Sequence, residues 1–327
     1  MANRRSWIRA ALAAPLAALA FGAAAQGYPT RPVTVIVPFA AGGPTDTIAR
    51  IMGERMGRAL GQVVVVENLA GAGGTIAGSR VARAAPDGYT VAIGHIGTHV
   101  IVGAVQNITY DVFNDFEPVA MIAANPQIIV SKNAVPAKDL KEFIAWVKAN
   151  ASTVSAGTGG PGTPSHIMAV YFGNEIKVPI QIVHYKGSGP ALQDVIAGHI
   201  DLTFDQAANA LPQVRAGKIR AYAVTSKTRL AAAPDIPTVD EAGLPNFYMS
   251  VWHAYWVPKG TPPAIIARLN AAIRESLADP AIRKRLEDLG QVIPPADQQT
   301  PEALHAHHRA EIDKWWPLIK AAGIKSD

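Results

Sequence analysis

The feature that most constrains this chain is a repeated alternation of a short apolar run, a glycine-rich turn and a helical segment. Residues 33–37 are apolar and β-branched, residues 38–43 form a turn, and apolar residues then recur at helical spacing over residues 48–61. Residues 63–66 and 89–93 begin further units of the same kind. Continuous apolar strands that alternate with helices predict an α/β fold, in which helices cover both faces of a mainly parallel sheet.

A second series of such units begins after residue 126. It predicts strands at residues 127–130, 153–156, 180–184, 200–204 and 219–224, with helices between them. The tail is different, because an aromatic strand at 251–257 is followed by three helices with no sheet of their own to cover. We therefore expect the tail to pack on the first series.

The length of the chain and its two series of units predict two lobes. About 300 residues remain beyond the first 25, more than the ~100–200 of a typical domain. One lobe would combine residues 26–124 with 226–327, and residues 125–225 would form the other. The chain would then cross between the lobes near Asn125 and near Thr225, and a hinge and a ligand cleft would lie between them.

The first 25 residues have the three parts of a secretory signal peptide. Arginines at positions 4, 5 and 9 precede an apolar stretch that is too short for the ~20 residues of a transmembrane helix, and three alanines then lead to Gln26. We expect cleavage after Ala25 and export to the periplasm. Loss of the leader lowers the formal net charge from +5 to +2, which is no signature of nucleic-acid binding, and with no cysteine the exported protein must be stabilised by packing alone.

The loops that follow the strands hold the candidate site residues, because ligands of open parallel sheets bind where strands end and helices begin. In the loop 38–45, free backbone N–H groups at a helix start would attract a carboxylate or phosphate without any lysine or arginine. A tight β-to-α turn would explain this loop equally well, and Asp46 can be explained as a complement to the helix dipole. The candidates here are Phe39, Ala40, Gly42, Gly43 and Thr45.

A second glycine-rich loop, residues 157–162, has the same character in the second series. Its spacing also satisfies the dinucleotide fingerprint, but Pro161 and Pro164 interrupt the passage into the helix and no acid follows the next strand, so we expect no nicotinamide cofactor. Two such helix starts, one in each lobe, would make a cleft that binds an anion. The candidates in this loop are Thr158, Gly159, Gly160, Thr163, Ser165 and His166.

Four further candidates lie at predicted strand ends, and each has a simpler alternative explanation. His95 and Thr98 follow the third strand, where a buried, hydrogen-bonded core histidine is the common outcome. Lys186 is either a ligand contact or a solvated surface lysine. Asp205 would either accept a hydrogen bond from a ligand or cap the helix that follows, and capping is the favoured reading.

The motifs of catalysis and metal binding are absent from the sequence. No G-x-S-x-G, no H-E-x-x-H and no pair of carboxylates at catalytic spacing occurs. His305, His307 and His308 have the side chains of a metal site. On a helix, however, His305 and His307 point in different directions, and residues 304, 308 and 312 share the face that is predicted to be buried. We expect a helix face there and core packing for Trp315-Trp316, with no catalytic residue, cofactor or metal.

The order and spacing of many short motifs resemble the substrate-binding proteins of tripartite tricarboxylate transporters. Individually weak, the motifs together span nearly the whole chain beyond the leader. They are Tyr28-Pro29-Thr30-Arg31-Pro32, Val37-Pro38-Phe39 with Gly42-Gly43 and Asp46, Val64-Val65-Val66-Glu67-Asn68 with Gly71-Ala72-Gly73-Gly74, Pro86-Asp87-Gly88-Tyr89-Thr90, Tyr110-Asp111 with Asp115-Phe116 and Pro118-Val119, Tyr185-Lys186-Gly187, Ala223-Val224-Thr225, Pro234-Asp235-Ile236-Pro237-Thr238 and Glu241-Ala242-Gly243.

The resemblance implies a periplasmic receptor of the Bug (tctC-type) family with a two-lobed, type II Venus-flytrap fold, each lobe a mainly parallel sheet flanked by helices. Members grip a ligand carboxylate through two strand-turn-helix loops and ordered water, which correspond here to residues 39–45 and 158–166. The second loop departs from the commoner pattern by the extension 161–164. A monomer that delivers a small organic carboxylate to membrane permease subunits is therefore expected. An exported hydrolase or oxidoreductase on the same fold, or a ligand-presenting partner of a sensor kinase, are the alternatives.

Overall fold

The structure, a computed structural model, describes residues 27–321 and 323–325, so the predicted signal peptide lies outside the described residues. Nine strands are found in these ranges: β1 Val33–Val37, β2 Val64–Asn68, β3 Thr90–His95, β4 Phe116–Lys132, β5 Ser155–Thr158, β6 Gln181–His184, β7 Leu202–Gln206, β8 Ile219–Val224 and β9 Ser250–Pro258.

Ten α-helices lie in the same ranges: α1 Pro44–Leu60, α2 Thr75–Ala82, α3 Val102–Val105, α4 Leu140–Ala149, α5 Pro164–Ile176, α6 Ser188–Ala197, α7 Ala207–Arg215, α8 Pro263–Ala278, α9 Pro280–Asp288 and α10 Pro301–Ala321. Short helical turns occur at Ala72–Gly74, Gly97–Ile101 and Ala296–Gln298. Of the described helices, none is long and apolar enough to cross a membrane.

The strands follow the order β2-β1-β3-β9-β4-β7-β5-β6, and β8 pairs with β4. On the first side, β1 runs parallel to β2 and β3, and β9 lies antiparallel between β3 and β4. On the second side, β5 runs parallel to β6 and β7, and β4 is antiparallel to β7 and β8. Each side is therefore mainly parallel with one antiparallel strand, as the α/β prediction requires.

Strand β4 is shared by the two sides of the sheet. Residues 116–126 pair with β9, whereas residues 127–132 pair with β7 and β8. The sequence predicted only residues 127–130 as strand, because prolines such as Pro118 argue against a central strand. The chain accommodates Pro118 at a shift in the register with β9. The missed half of β4 is the part that joins the first side through β9, so the sequence did not reveal that one strand is shared by both sides.

The two places where the chain was predicted to cross between lobes are neighbours in space. The N–H of Thr225 donates to the carbonyl of Gln127 at 2.9 Å, and the N–H of Gln127 donates to Thr225 Oγ1 at 2.9 Å. Thr225 Oγ1 donates in turn to the carbonyl of Met249 at 2.8 Å. Three chain segments are thus tied together at one point.

The C-terminal helices pack on the first side of the sheet, which confirms the expectation for the tail. Apolar residues of α8, such as Leu269 and Ile273, join Ile48 and Met52 of α1 in one buried cluster. In α10, Leu304, His308 and Ile312 are buried at helical spacing as predicted. The core position predicted for Trp316 is wrong: Ile312 and Ile319 occupy that face of α10, and the Trp316 side chain is 38% exposed at its edge.

Replacing Leu269 by Ala should lower the free energy of unfolding by about 2–5 kcal/mol, because Leu269 is completely buried between α8 and α1 and its loss leaves a cavity. Urea denaturation of the chain without its leader measures this change. The matched control is Leu318→Ala in α10, where the side chain is 55% exposed and a change within about 0.5 kcal/mol is expected. Equal effects of the two substitutions would contradict the packing described for the tail.

Candidate functional site

A narrow cleft lies where strands from both sides of the sheet end. Its volume is ≈ 20 Å³, which is about the space of one water molecule. Seven of the residues that line it were predicted from the sequence: Phe39, Gly43, Thr45, His95, Gly159, Thr163 and Ser165. Of the other five, Pro44 and Pro164 lie within the predicted loops 39–45 and 158–166, and Ser188 lies in the strand-to-helix loop of Lys186. Gln127 and Gln206 were missed.

Four helices begin at this cleft. Helices α1, α5 and α6 start at Pro44, Pro164 and Ser188, and Gln206 is the N-cap of α7. The N–H groups of a first helical turn have no partner within the helix, and the positive end of the helix dipole lies there. No lysine or arginine is found among the described residues that line the cleft. The site can therefore attract an anion through backbone dipoles alone.

The loop before α1 is held by the carboxylate of Asp46. It accepts hydrogen bonds from the Gly42 N–H at 2.9 Å, from Arg50 Nε at 3.0 Å and from Asn68 Nδ2 at 2.9 Å. Asn68 Nδ2 also donates to the Phe39 carbonyl at 3.0 Å. Burial by itself would raise the pKa of Asp46, but these hydrogen bonds lower it below its ordinary value. Asp46 therefore does more than complement the helix dipole, because it fixes the shape of the loop.

The loop before α5 is held by bonds among its own residues. Thr163 Oγ1 donates to the Gly160 carbonyl at 2.7 Å, and the Gly159 N–H donates to Ser165 Oγ at 2.9 Å. The Gly162 N–H donates to Nδ1 of His166 at 3.1 Å, so this histidine supports the loop from behind. Gly160 has a φ of 121°, which a side chain would disfavour. The hydroxyls of Thr163 and Ser165 are thereby fixed at the cleft.

An aromatic wall of neutral rings forms the first side of the cleft. His95 stacks on Phe39 with ring centroids 4.9 Å apart, and its Nδ1 accepts a hydrogen bond from the Gly97 N–H at 2.9 Å. Burial lowers the pKa of His95 to about 3. His253 lies edge-on behind it, with Nε2 3.2 Å from Thr45 Oγ1, and burial also lowers the pKa of His253 well below its ordinary value. This side of the cleft therefore carries no positive charge at neutral pH.

Several predicted residues lie next to the cleft without lining it. Thr98 accepts from the His95 N–H at 3.0 Å and thus holds the turn after β3. Ala40 donates its N–H to the Lys186 carbonyl at 2.9 Å, whereas the Lys186 side chain is exposed. Thr158 Oγ1 lies 2.6 Å from Nδ1 of His184. Gly42, Gly160 and His166 likewise do not line the cleft. A direct contact of any of these residues with a ligand stays a prediction.

Asp205 is buried directly behind the cleft. Its Oδ1 accepts from the Gln206 N–H at 2.8 Å, and its Oδ2 accepts from Asn209 Nδ2 at 2.5 Å. Asp205 does not form the helix cap that the sequence favoured, because Gln206 is the N-cap of α7 and the Asp205 carboxylate bonds to the Gln206 N–H and to the Asn209 side chain. Desolvation raises the pKa of Asp205 to about 7.

Two glutamines that were not predicted from the sequence form the floor of the cleft. Gln127 and Gln206 are directly opposite each other in the β4–β7 ladder, and both line the cleft. Asn125 Nδ2 lies 3.4 Å from Gln206 Oε1 and 2.9 Å from Gln291 Oε1. The available signal was weak: Gln127 is one polar residue at the start of an apolar run, and only the ladder pairs it with a residue far along the chain.

The two sides of the cleft touch each other along its rim. Besides the bond between Ala40 and Lys186, Gln106 Nε2 donates to the carbonyl of Pro161 at 2.9 Å. Helix α6 approaches the loop of α1 so closely that a Cβ on Gly189 would lie 3.2 Å from the Gly43 nitrogen. The two sides of the sheet therefore contact each other over the cleft, and Pro161 in the extended second loop is one of the contact residues.

The histidines of α10 lie elsewhere and serve packing. His308 is buried, stacks edge-on against Trp256 and bonds through Nε2 to the carbonyl of His99, whereas His305 is exposed. Among residues 27–321 and 323–325, no group of three or more histidine, aspartate or glutamate side chains could hold a metal ion.

Comparison with known proteins agrees with this geometry. Residues 48–324 match the model of the tripartite tricarboxylate transporter family receptor. An Agrobacterium vitis protein, described as a UPF0065 protein in the TAR-I ttuE-ttuC' intergenic region, is 42% identical over 300 residues, which cover 92% of this chain and 87% of that protein.

Two solved structures extend the likeness to the fold. Periplasmic binding protein BugD is 39% identical, with a TM-score of 0.88 over 92% of this chain and 100% of its own. MatC from Rhodopseudomonas palustris, with bound malate, is 40% identical, with a TM-score of 0.86 over 89% of this chain and 100% of its own. The two-lobed periplasmic binding protein fold predicted from the sequence is thereby confirmed.

Replacing Asp205 by Asn should remove a pH dependence of stability. Between the ordinary pKa of 3.8 and the raised value of about 7, the folded carboxyl keeps a proton that the unfolded one releases, so stability falls as the pH rises through this window. Relative to the wild type, the variant should gain up to ~4 kcal/mol in unfolding free energy between pH 4 and pH 8. Urea titrations at both pH values measure the gain. Asp297→Asn, at an exposed site, serves as control, and an Asp205→Asn difference that does not change with pH would refute the assignment.

Proposed function

We propose a receptor function for this chain, which belongs to the tripartite tricarboxylate transporter receptor family. Its cleft captures a small organic carboxylate and the receptor then delivers it to the permease subunits of such a transporter. The observation that carries the proposal is the convergence of four helix starts on a cleft that no lysine or arginine lines, within the described part of the chain. Backbone N–H groups at helix starts are a recurrent binding site for carboxylate and phosphate.

The chemistry of the cleft favours an acid with one or two carboxylates. Its side-chain donors are hydroxyls and amides, and both histidines of its aromatic wall are neutral, so no full positive charge faces a ligand. A tricarboxylate would bring three charges to a site that offers only partial ones. The malate bound to MatC, a 40% identical structure, supports a small carboxylate of this kind.

Ligand entry requires the lobes to part, because a cleft of ≈ 20 Å³ is far smaller than a four-carbon acid. We place lobe 1 at residues 26–124 together with 226–327, and lobe 2 at residues 125–225. The hinge then lies where Thr225 binds Gln127 and Met249. A ligand shifts the population towards the closed form only through contacts that it makes better there, and the helix starts of both lobes provide such contacts.

The proposed site of action is the periplasm. The family to which the chain belongs and its likeness to a periplasmic binding protein support this location, as does the signal peptide predicted for residues 1–25. Solute binding, rather than catalysis, is the role that the family and the structural neighbours support. The receptor is expected to act as a monomer that closes around one ligand molecule.

A carboxylate panel tests the proposal. The chain from Gln26 onward, refolded to remove bound ligand, should be stabilised by about 2.7 kcal/mol when an acid is present at ~100 times its dissociation constant. Thermal-shift assays with mono-, di- and tricarboxylates, aromatic acids and amino acids detect this, and calorimetry gives the affinity. The methyl ester of each acid that binds is the control. Equal binding of acid and ester, or turnover of the acid followed by NMR, would contradict the receptor proposal.

Replacing Gly189 by Ala should weaken ligand binding about tenfold. The new Cβ would lie 3.2 Å from the Gly43 nitrogen and 3.3 Å from the Gly43 Cα, so it crowds the backbone of the other lobe only when the cleft is closed. Calorimetry with the tightest acid of the panel measures the effect.

The control for this substitution is Gly57→Ala in α1. There the Cβ meets the Gln62 carbonyl at the same distance of 3.2 Å, but within one lobe. This variant should change the unfolding free energy and leave the affinity unchanged. Unaltered affinity in Gly189→Ala would show that binding does not need the closure seen here.

A further inference from the structure

We infer that Gln106, which lies outside the cleft, holds the two lobes together over a bound acid and thereby slows the dissociation of that acid. The inference rests on the proposed receptor function with its two lobes, and it adds a residue that controls release. It follows from a side-chain hydrogen bond that crosses the rim of the cleft, from the bonds that hold its acceptor, and from a backbone contact that leaves no room for a side chain.

The amide nitrogen of Gln106 reaches from lobe 1 to lobe 2. Its Nε2 donates to the Pro161 carbonyl at 2.9 Å and lies 3.5 Å from the Ala72 carbonyl of its own lobe. Both neighbours are carbonyl oxygens, which can only accept, so the amide nitrogen and not the amide oxygen must face them. Because the amide group carries two protons, it can bond to both lobes at once.

The Pro161 carbonyl is held in place by bonds within lobe 2. It shares a peptide group with the Gly162 N–H, which donates to His166 Nδ1 at 3.1 Å. On the other side, the Gly160 carbonyl accepts from the N–H of Thr163 at 3.2 Å and from its hydroxyl at 2.7 Å. The proline ring also fixes φ at residue 161. The acceptor therefore needs little ordering when the lobes meet, and His166 supports it without lining the cleft.

The backbones of the two lobes pack closely beside this hydrogen bond. A Cβ on Gly162 would lie 2.8 Å from the side chain of Val105, the last residue of α3, which directly precedes Gln106. A Cβ on Gly73 would overlap the Pro161 carbonyl oxygen. The two glycines thus allow the approach that brings the Gln106 amide within hydrogen-bond distance of lobe 2.

The bond between Gln106 and Pro161 acts on release and not on entry. It exists only while the lobes are in contact, so it stabilises the form that encloses the acid and leaves the open form unchanged. Loss of one such bond changes an equilibrium about 3- to 10-fold. The other rim bond, from the Ala40 N–H to the Lys186 carbonyl, joins backbone atoms and does not depend on Gln106. Without the Gln106 donor, the acid should therefore dissociate faster and associate at the same rate.

Gln106→Glu tests this role, because it keeps the shape of the side chain and replaces the donor by a carboxylate that repels both carbonyl oxygens. In stopped-flow kinetics with malate, the acid bound to MatC, the dissociation rate should rise about 10-fold and the association rate should change by less than about 2-fold. If malate does not bind, the tightest acid of the carboxylate panel replaces it. In the control Gln181→Glu, the lost amide bond to the Ser152 carbonyl, 3.0 Å long, lies within lobe 2, and both rates should stay unchanged.

Gly73→Ala and Gly61→Ala form a second matched pair. The two glycines have left-handed φ values of 65° and 71°, so both substitutions bring the same backbone strain. Only the Cβ on Gly73 meets the other lobe, whereas a Cβ on Gly61 meets nothing within 4 Å. Gly73→Ala should weaken malate binding by about 10-fold or more, and Gly61→Ala should leave it unchanged. Circular dichroism verifies folding, and Gln106→Ala replaces Gln106→Glu if that variant does not fold.

A distance measurement tests the same role without relying on an acid. The chain has no cysteine, so spin labels can be attached after Lys148→Cys in lobe 2 and Arg274→Cys in lobe 1, both at exposed positions. Double electron–electron resonance should find fewer molecules at the lobe separation of this structure in Gln106→Glu than in the otherwise unsubstituted chain.

The outcomes separate this inference from the proposed function. An unchanged dissociation rate in folded Gln106→Glu, an equal rise in Gln181→Glu, or equal distance distributions with and without the acid overturns the role of Gln106 and leaves a carboxylate receptor. Failure of every carboxylate in the panel overturns the proposed function itself, and the distance distributions of the acid-free chain then decide on Gln106 alone.

Discussion

The cleft depends on β4, a single strand that belongs to both sides of the sheet. Its first part pairs with β9 and its last part with β7 and β8, so two sheets with separate helices are joined through one backbone. Gln127 lies where the pairing changes and is bonded to Thr225, which follows β8. Because this shared strand is hydrogen-bonded to both sides of the sheet, it fixes the loops of the two sides relative to each other.

Of the described residues that line the cleft, none is an aspartate, glutamate, lysine or arginine. The one ionised carboxylate of the first loop, Asp46, is turned towards Arg50 and Asn68 and away from the ligand space. The histidines of the wall are neutral through burial, and Asp205 is 1% exposed and does not line the cleft. Partial charges from helix starts remain. Such dipoles are fixed by the backbone before a ligand arrives, so binding needs little rearrangement of long side chains.

Local patterns in the sequence were enough to predict most of the strands and helices of the fold. Apolar runs, glycine turns and helical periodicity placed β1, α1 and the buried face of α10 correctly, since these features follow from contacts a few residues apart. The first half of β4 was missed because its prolines look incompatible with a strand until β9 is beside it. Trp316 was misplaced because a two-residue aromatic motif does not say which residue faces the core. In the site, Phe39, Thr45 and Ser165 could be named from loop position alone, and Ser188 lies in a loop of the same kind, whereas Gln127 and Gln206 could not be named.

The sequence by itself determined that the strands end in glycine loops which lead into helix starts, since glycine and proline act on their own backbone. It thereby determined that the protein offers N–H groups to an anion. The tertiary structure alone decided which helix starts converge, which hydroxyl protons are already used, and that Gln127 faces Gln206 across β4 and β7. These properties depend on pairs of residues far apart along the chain, and such pairs become neighbours only when the sheet has formed.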